Sequence, residues 1–315
     1  IGAGRIGRRH CEIYAELSRK FGIERILFTK RTGNGCKEVE RYLEKYCKER
    51  GVNVKIKGFT EVDDALKQDP SVVSVCTPTE THLGYVERVL DETDAIVYCE
   101  KPLCTTDQIE QAKGLIEQGN KRIAVGLQLV YCLPIIQRYL LDESNVKVVW
   151  SSVPSKSKNT IEELVTDLGP HVVSLVQGFV ENEDFKVSSI GDSLIMPIVR
   201  FSNGRIEIKL EYKTERARVE RYVKIKNEGC LVKISYGGIN SKDGWKSCLF
   251  VEKQEDGKGL LKASILLEDL LKTSIERFLL RKNFVDGLQG LKNIELVGKL
   301  VDVSRGYRNR HRKAV

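Results

Sequence analysis

The chain has 315 residues, 41% of them apolar and 30% charged, which is enough for two packed domains and argues against a disordered segment. The net charge of +8 comes from 52 basic against 44 acidic residues, part of it in the stretch 305–313, read as a solvated chain end ahead of a nucleic-acid patch. No apolar run approaches the roughly 20 residues of a membrane span. No secretory leader pattern opens the chain, and nine cysteines without paired metal spacing fit free thiols in the cytoplasm.

Residues 1–130 alternate strand and helix signals, the pattern of parallel βαβ units. The segment Gly2-Ala3-Gly4-Arg5-Ile6-Gly7 leads into a helical pattern over Arg9–Lys20. Apolar runs follow at Ile26–Thr29, Val72–Cys76, Ala95–Cys99 and Arg122–Gly126, with helical patterns at Cys36–Arg50, Leu83–Leu90 and from Thr106 to Gln118. A dinucleotide fold has a full central strand before the first glycine, so several residues are expected ahead of Ile1. After Pro134 the texture changes. Val146–Val153 reads as a strand and Thr160–Gly178 as a helix. Strands are expected at Lys186–Ile190, Ile195–Phe201, Arg205–Tyr212, Tyr222–Lys226 and Cys230–Tyr236, with hairpin turns at Ser202-Asn203-Gly204 and Asn227-Glu228-Gly229. Helices over Ile265–Arg281 and Val285–Ser304 close the chain. The fold class is therefore α/β: an N-terminal Rossmann domain over 1–130, then an α+β domain over 131–315 with a mainly antiparallel sheet.

The glycine pattern fits a dinucleotide site. The first glycine permits the tight turn, Gly4 lets backbone approach a pyrophosphate, and Gly7 packs helix on strand, while the amides of Arg5 and Ile6 open the helix toward the phosphates. The end of the second apolar run discriminates between cofactors. An acidic residue about 20 positions on would hold the ribose hydroxyls of NAD. Here the run is Thr29-Lys30-Arg31, a hydroxyl and two cations, and the expected cofactor is NADP ahead of NAD.

Lys101 stands in Glu100-Lys101-Pro102 at the end of the third major apolar run, where α/β sheets bind ligands. The residue before a proline is pushed toward extended backbone, so the strand stops and presents the ammonium. Together with Cys76-Thr77-Pro78…His82 and Asp167-Leu168-Gly169-Pro170-His171, these motifs resemble the glucose-fructose oxidoreductase / inositol dehydrogenase (Gfo/Idh/MocA) family over essentially the whole chain. The ending Asp286-Gly287-Leu288 with Leu291 and Glu295 is also similar to the family's last helix. The resemblance implies a Rossmann domain followed by an open sheet that commonly mediates dimers or tetramers. It further implies a cis Lys101–Pro102 peptide, and a loop Cys76-Thr77-Pro78 with His82 beside the cofactor. Lys101, Asp167 and His171 would be its catalytic residues.

The residue chemistry agrees. Hydride transfer at a carbinol needs a group that takes or returns the hydroxyl proton, and histidine suits both directions. Asp167, four residues before His171, would share its helix face and either orient the imidazole or bind a substrate hydroxyl. Pro170 leaves a second possibility open, a helix starting near Asp167. Lys101 would polarise the reacting oxygen and favour the neutral imidazole. Where the family commonly has G-x-N-x-R-F, this chain has Gly126-Leu127-Gln128-Leu129-Val130. Gln128 keeps an amide toward the cofactor. Leu129 and Val130 stand where arginine is common, so the pocket is expected to suit an anionic or highly hydroxylated substrate less well. The expected function is NAD(P)-dependent oxidation or reduction of a carbinol/carbonyl pair on a sugar, polyol or related small metabolite. The alternatives are a C=N or conjugated-bond reductase and a non-catalytic dinucleotide sensor.

Overall fold

The computed structural model describes residues 1–119, 122–153, 160–177, 186–193, 196–202, 205–213, 218–241, 244–255, 258–267 and 269–312. It divides into two compact units. The first is Ile1–Leu127 with Leu271–Ile294, and the second is Gln128–Leu270 with Glu295–Val315.

The first unit begins with α1 (Arg5–Phe21), which buries His10, Cys11, Ile13, Ala15 and Leu17 on one face and stops at Gly22, whose φ of 65° is left-handed. Strand β1 (Arg25–Thr29) pairs in parallel with β2 (Lys55–Phe59). Between them runs α2 (Gly33–Glu49), capped by the Thr32 hydroxyl accepting from Gly35 N at 3.1 Å. A second parallel sheet has the order β3 (Val72–Val75), β4 (Ile96–Cys99), β5 (Ile123–Val125). The helices α4 (His82–Glu92) and α5 (Ile109–Gly119) follow β3 and β4, and the short α3 (Val62–Leu66) follows β2. Ile1–Ala3 bond to both sheets: Cys76 N donates to Ile1 O and Ala3 N to Thr29 O, each at 2.9 Å. The strand β2 is missing from the sequence reading, because Lys-Ile-Lys-Gly-Phe offers only a weak apolar run.

The expected boundary at 130/131 needs correction at its C-terminal side. Residues 271–294 return to the first unit, because Leu271, Ile275 and Phe278 complete an apolar cluster with Ile13, Leu17 and Tyr98. The helix α8 (Leu270–Leu279) carries all three. Ile275 is fully buried. Ile275→Val is expected to lower unfolding free energy by about 1 kcal/mol, measured by denaturant titration, through one lost methyl and a small cavity. An unchanged midpoint would remove α8 from this core.

The second unit is built on eight strands in the order β13-β12-β11-β10-β6-β9-β8-β7. These are β6 (Asn145–Ser152), β7 (Lys186–Ser193), β8 (Met196–Ser202), β9 (Ile206–Tyr212), β10 (Arg221–Asn227), β11 (Cys230–Ser241), β12 (Gly244–Glu255) and β13 (Lys258–Leu266). All pairings are antiparallel except β6 with β9. Alternation sorts the two faces. Val146, Val148 and Trp150 of β6 are buried with Ile206, Ile208, Leu210 and Tyr212 of β9, and α7 (Ile161–Val176) packs on these strands. The alternate positions carry ion pairs such as Lys147–Glu207 at 2.6 Å and Lys209–Glu211 at 2.9 Å. The tip of the 202–204 turn lies outside the described residues. Asn227 pairs with Cys230 across the second turn, where Gly229 has φ 66°.

Two further expectations are corrected. Ile265 belongs to β13, opposite Leu249, and no helix begins there. Nor does α7 begin near Asp167: its cap is Thr160, in a reciprocal capping box with Glu163, and the helix runs through Pro170. The last helix, α9 (Gly287–Arg312), is longer than expected. Among the described residues no helix is long and apolar enough to cross a membrane.

Candidate active site

In the first unit the site is built around the start of α1. Gly2 has φ 86°, and a Cβ there would press on Thr77 Cγ2 at 2.8 Å and Cys76 O at 2.9 Å. A Cβ on Gly7 would run into the Gly2 carbonyl oxygen. Gly4 caps the helix without a side chain, and the first turn holds no acidic residue. The amides of Arg5, Ile6 and Gly7 therefore remain available to an anion, as a pyrophosphate requires. These residues fit a dinucleotide.

Thr29 lies differently from its expected place beside a ribose phosphate. It is buried, and its Oγ1 accepts from Gly2 N at 3.1 Å, so it braces the glycine turn. Lys30 and Arg31 follow it, with Lys30 donating to Ala3 O at 3.3 Å and Arg31 exposed. Cys76, Thr77 and Pro78 form the turn after β3, directly against Gly2 and Gly7. His82 is buried at the start of α4, with Nε2 2.8 Å from Thr77 O and Nδ1 2.7 Å from Pro102 O. It joins the turn after β3 to the turn after β4. That second turn is Glu100-Lys101-Pro102, with a cis Lys101–Pro102 peptide and a half-buried Lys101.

The sequence reading omitted His10. Its ring is buried on α1, with Nε2 2.9 Å from Glu100 Oε1 and Nδ1 3.1 Å from Ser74 Oγ. The Tyr14 hydroxyl meets the same Ser74 oxygen at 2.7 Å, and the ring packs edge-on to Tyr98 at 5.4 Å. Burial opposes charge on this imidazole, but Cys76 and Glu100 outweigh it and raise its pKa to about 10. The placement of His10 three residues after Gly7, in the second turn of α1, was the available signal.

In the second unit α7 sets Asp167 and His171 one turn apart, both half-buried. Tyr212 donates to Asp167 Oδ2 at 2.8 Å, and burial and that carboxylate push its phenol far up. The His171 ring stacks on Trp150 at 5.6 Å and 23°. Trp150 stacks in turn on Tyr236 at 5.7 Å, with the Arg221 guanidinium 5.5 Å from its centroid. Gln128 opens the 3₁₀ turn Gln128–Cys132 that packs on α7, with Leu129 buried.

Comparison with known proteins bears on the fold and on the N-terminal domain. Among curated proteins none matches the chain in sequence. Three solved structures share the fold over nearly the whole chain. One is UDP-N-acetylglucosamine 3-dehydrogenase GnnA from Acidithiobacillus ferrooxidans, 18% identical over 96% of this chain and 95% of that one, TM-score 0.67. Another is KijD10, a 3-ketoreductase from Actinomadura kijaniata in complex with NADP and TDP-benzene, at 15%, 96%, 94% and 0.65. The third is the dehydrogenase MviM from Clostridium difficile, at 15%, 89%, 99% and 0.59. Residues 1–127 match the family described as "Oxidoreductase family, NAD-binding Rossmann fold", so this segment is an NAD(P)-binding Rossmann domain of the Gfo/Idh/MocA type.

Proposed function

We propose that this protein is an NADP-preferring oxidoreductase that moves hydride between the nicotinamide and a carbinol/carbonyl carbon of a sugar, polyol or related small metabolite. The observation that carries this reading is the anchoring of Lys101: its turn is tied by His82 to the cofactor-side loop and, through Glu100 and His10, to the glycine-rich helix. An ammonium placed so, at the end of β4, suits polarisation of a reacting oxygen. The bound nicotinamide supplies the hydride chemistry. His171 takes or returns the hydroxyl proton, and Asp167, held by Tyr212, positions the α7 face that carries it. The activities of GnnA and KijD10, a dehydrogenase and a ketoreductase, support this reaction class. Self-association through the charged face of the second unit's sheet belongs to the same reading.

The test offers NADPH deuterated at the transferring position with a panel of keto-sugars and related carbonyl compounds. Deuterium is expected on the new carbinol carbon. Label beside nitrogen or at a conjugated carbon would move the assignment to C=N or C=C reduction, and binding without any labelled product would make the chain a sensor. For the cofactor, Lys30→Ala with Arg31→Ala is expected to weaken NADP about tenfold or more and NAD little, since each lost charge-assisted contact removes ~1.5–3 kcal/mol. Equal losses for both, read by fluorescence titration, would reject the phosphate clamp.

A further inference from the structure

The second unit contains a guanidinium with spare donors. Arg221 opens β10, opposite Trp150 of β6, and is half-buried beside the Trp150–His171 stack. Its Nε donates to Ser151 O at 3.3 Å. Both Nη groups, four N–H donors in a planar fork, have no acceptor among the described residues, and no carboxylate pairs with the side chain there. Burial presses its pKa down, with Tyr236 opposing. An arginine stays charged under such pressure, and its fork offers paired donors to an oxyanion. The Arg221 guanidinium and the His171 ring each lie against the Trp150 indole, 5.5 and 5.6 Å from its centre, so an anion on the fork and the imidazole would share one aromatic neighbour.

We propose that Arg221 is the anion-binding residue of the His171 site, and that the substrate bears a phosphoryl or carboxylate group. The inference rests on the reading of His171 as the acid/base. It reverses the expectation drawn from Leu129 and Val130: the cation absent from that segment is supplied from β10. The oxyanion meets the two Nη groups side by side, a geometry a lysine cannot reproduce. The substrate's neutral part then extends from this anchor toward the imidazole.

The chain has two tryptophans, so Trp245→Phe leaves Trp150 as the only indole reporter. The NADP-loaded Trp245→Phe protein is titrated with inorganic phosphate, acetate, glucose 6-phosphate, gluconate and glucose at constant ionic strength held by chloride. A saturable change in Trp150 emission is expected with the oxyanions and none with glucose. Response to the phosphates alone identifies a phosphoryl substrate, and response to the carboxylates alone a carboxylate one. Adding Arg221→Gln should weaken binding about tenfold or more. Arg221→Lys should fall between, which keeps the test decisive if the glutamine variant folds poorly. No saturable response to any oxyanion, or an unchanged one in both variants, overturns the proposal. Because the signal needs no turnover, wild-type activity in His171→Ala would sink the acid/base reading while leaving this measurement to stand or fall alone.

Discussion

Lys101→Ala is expected to lower turnover roughly a hundred- to thousandfold, the usual cost of removing one group that stabilises charge on a reacting oxygen. His171→Ala is expected to cost roughly a hundred- to ten-thousandfold, the range for a general acid–base residue. In both variants the dissociation constant for NADP should stay near wild type. On the proposed reading the dinucleotide's backbone contacts would come from the Gly2–Gly7 loop, and the Glu100–Lys101–Pro102 turn is held by its own ties to His10 and His82. His171→Ala should also flatten one limb of the pH–rate profile, whereas Lys101→Ala should keep that limb and move it to higher pH, because the cation that favours the neutral imidazole is gone. Near-normal turnover in either variant would remove that residue from the mechanism. A parallel collapse of cofactor binding would instead make Lys101 a cofactor residue.

Glu100→Ala is expected to destabilise the fold by about 3–5 kcal/mol, because it strips one partner from a buried ion pair and leaves the other charge uncompensated. The groups facing the His10 ring are Glu100, Ser74, Cys76 and Tyr98, with Tyr14 behind Ser74. Glu100→Gln keeps a hydrogen-bonding group at Oε1 and should cost less. The pH dependence has a definite sign. His10 titrates at about 10 in the folded chain, against 6.5 as its reference value. The folded protein therefore binds a proton that the unfolded chain has released between those values. The pair's contribution is complete below about 6.5 and is lost as pH rises toward 10. In urea melts, the gap in unfolding free energy between wild type and His10→Gln should narrow across that window. A gap that stays constant between 6.5 and 10 would mean that His10 is neutral in the fold.

Much of the site could be read along the chain because its motifs are local. The glycine run, Glu100-Lys101-Pro102 and Asp167…His171 each lie within one turn, one strand end or one helical repeat, so their spacing, with the family resemblance it carries, points to the proposed chemistry. Partners far apart in sequence could not be read that way. His10 and Glu100 are separated by 90 residues, Asp167 and Tyr212 by 45, and neither pair leaves a mark in spacing. Thr29 illustrates the same limit: its residue type suits a phosphate contact, but the fold commits its hydroxyl to Gly2.

The element pattern, the two-part architecture and the dinucleotide loop follow from periodicity, glycine geometry and strand-end placement, all short-range properties of this sequence. Three things depended on packing. The return of Leu271, Ile275 and Phe278 to the first unit is a matter of apolar burial between distant segments. The continuity of α7 through Pro170 follows from a cap ten residues upstream and a helix packed along β6 and β9. The setting of Arg221 beside Trp150 is created by sheet register, since β6 and β10 are neighbours in the sheet and far apart in the chain. Contacts of that kind are chosen by the whole fold's gain from burial and pairing, a quantity no local window contains.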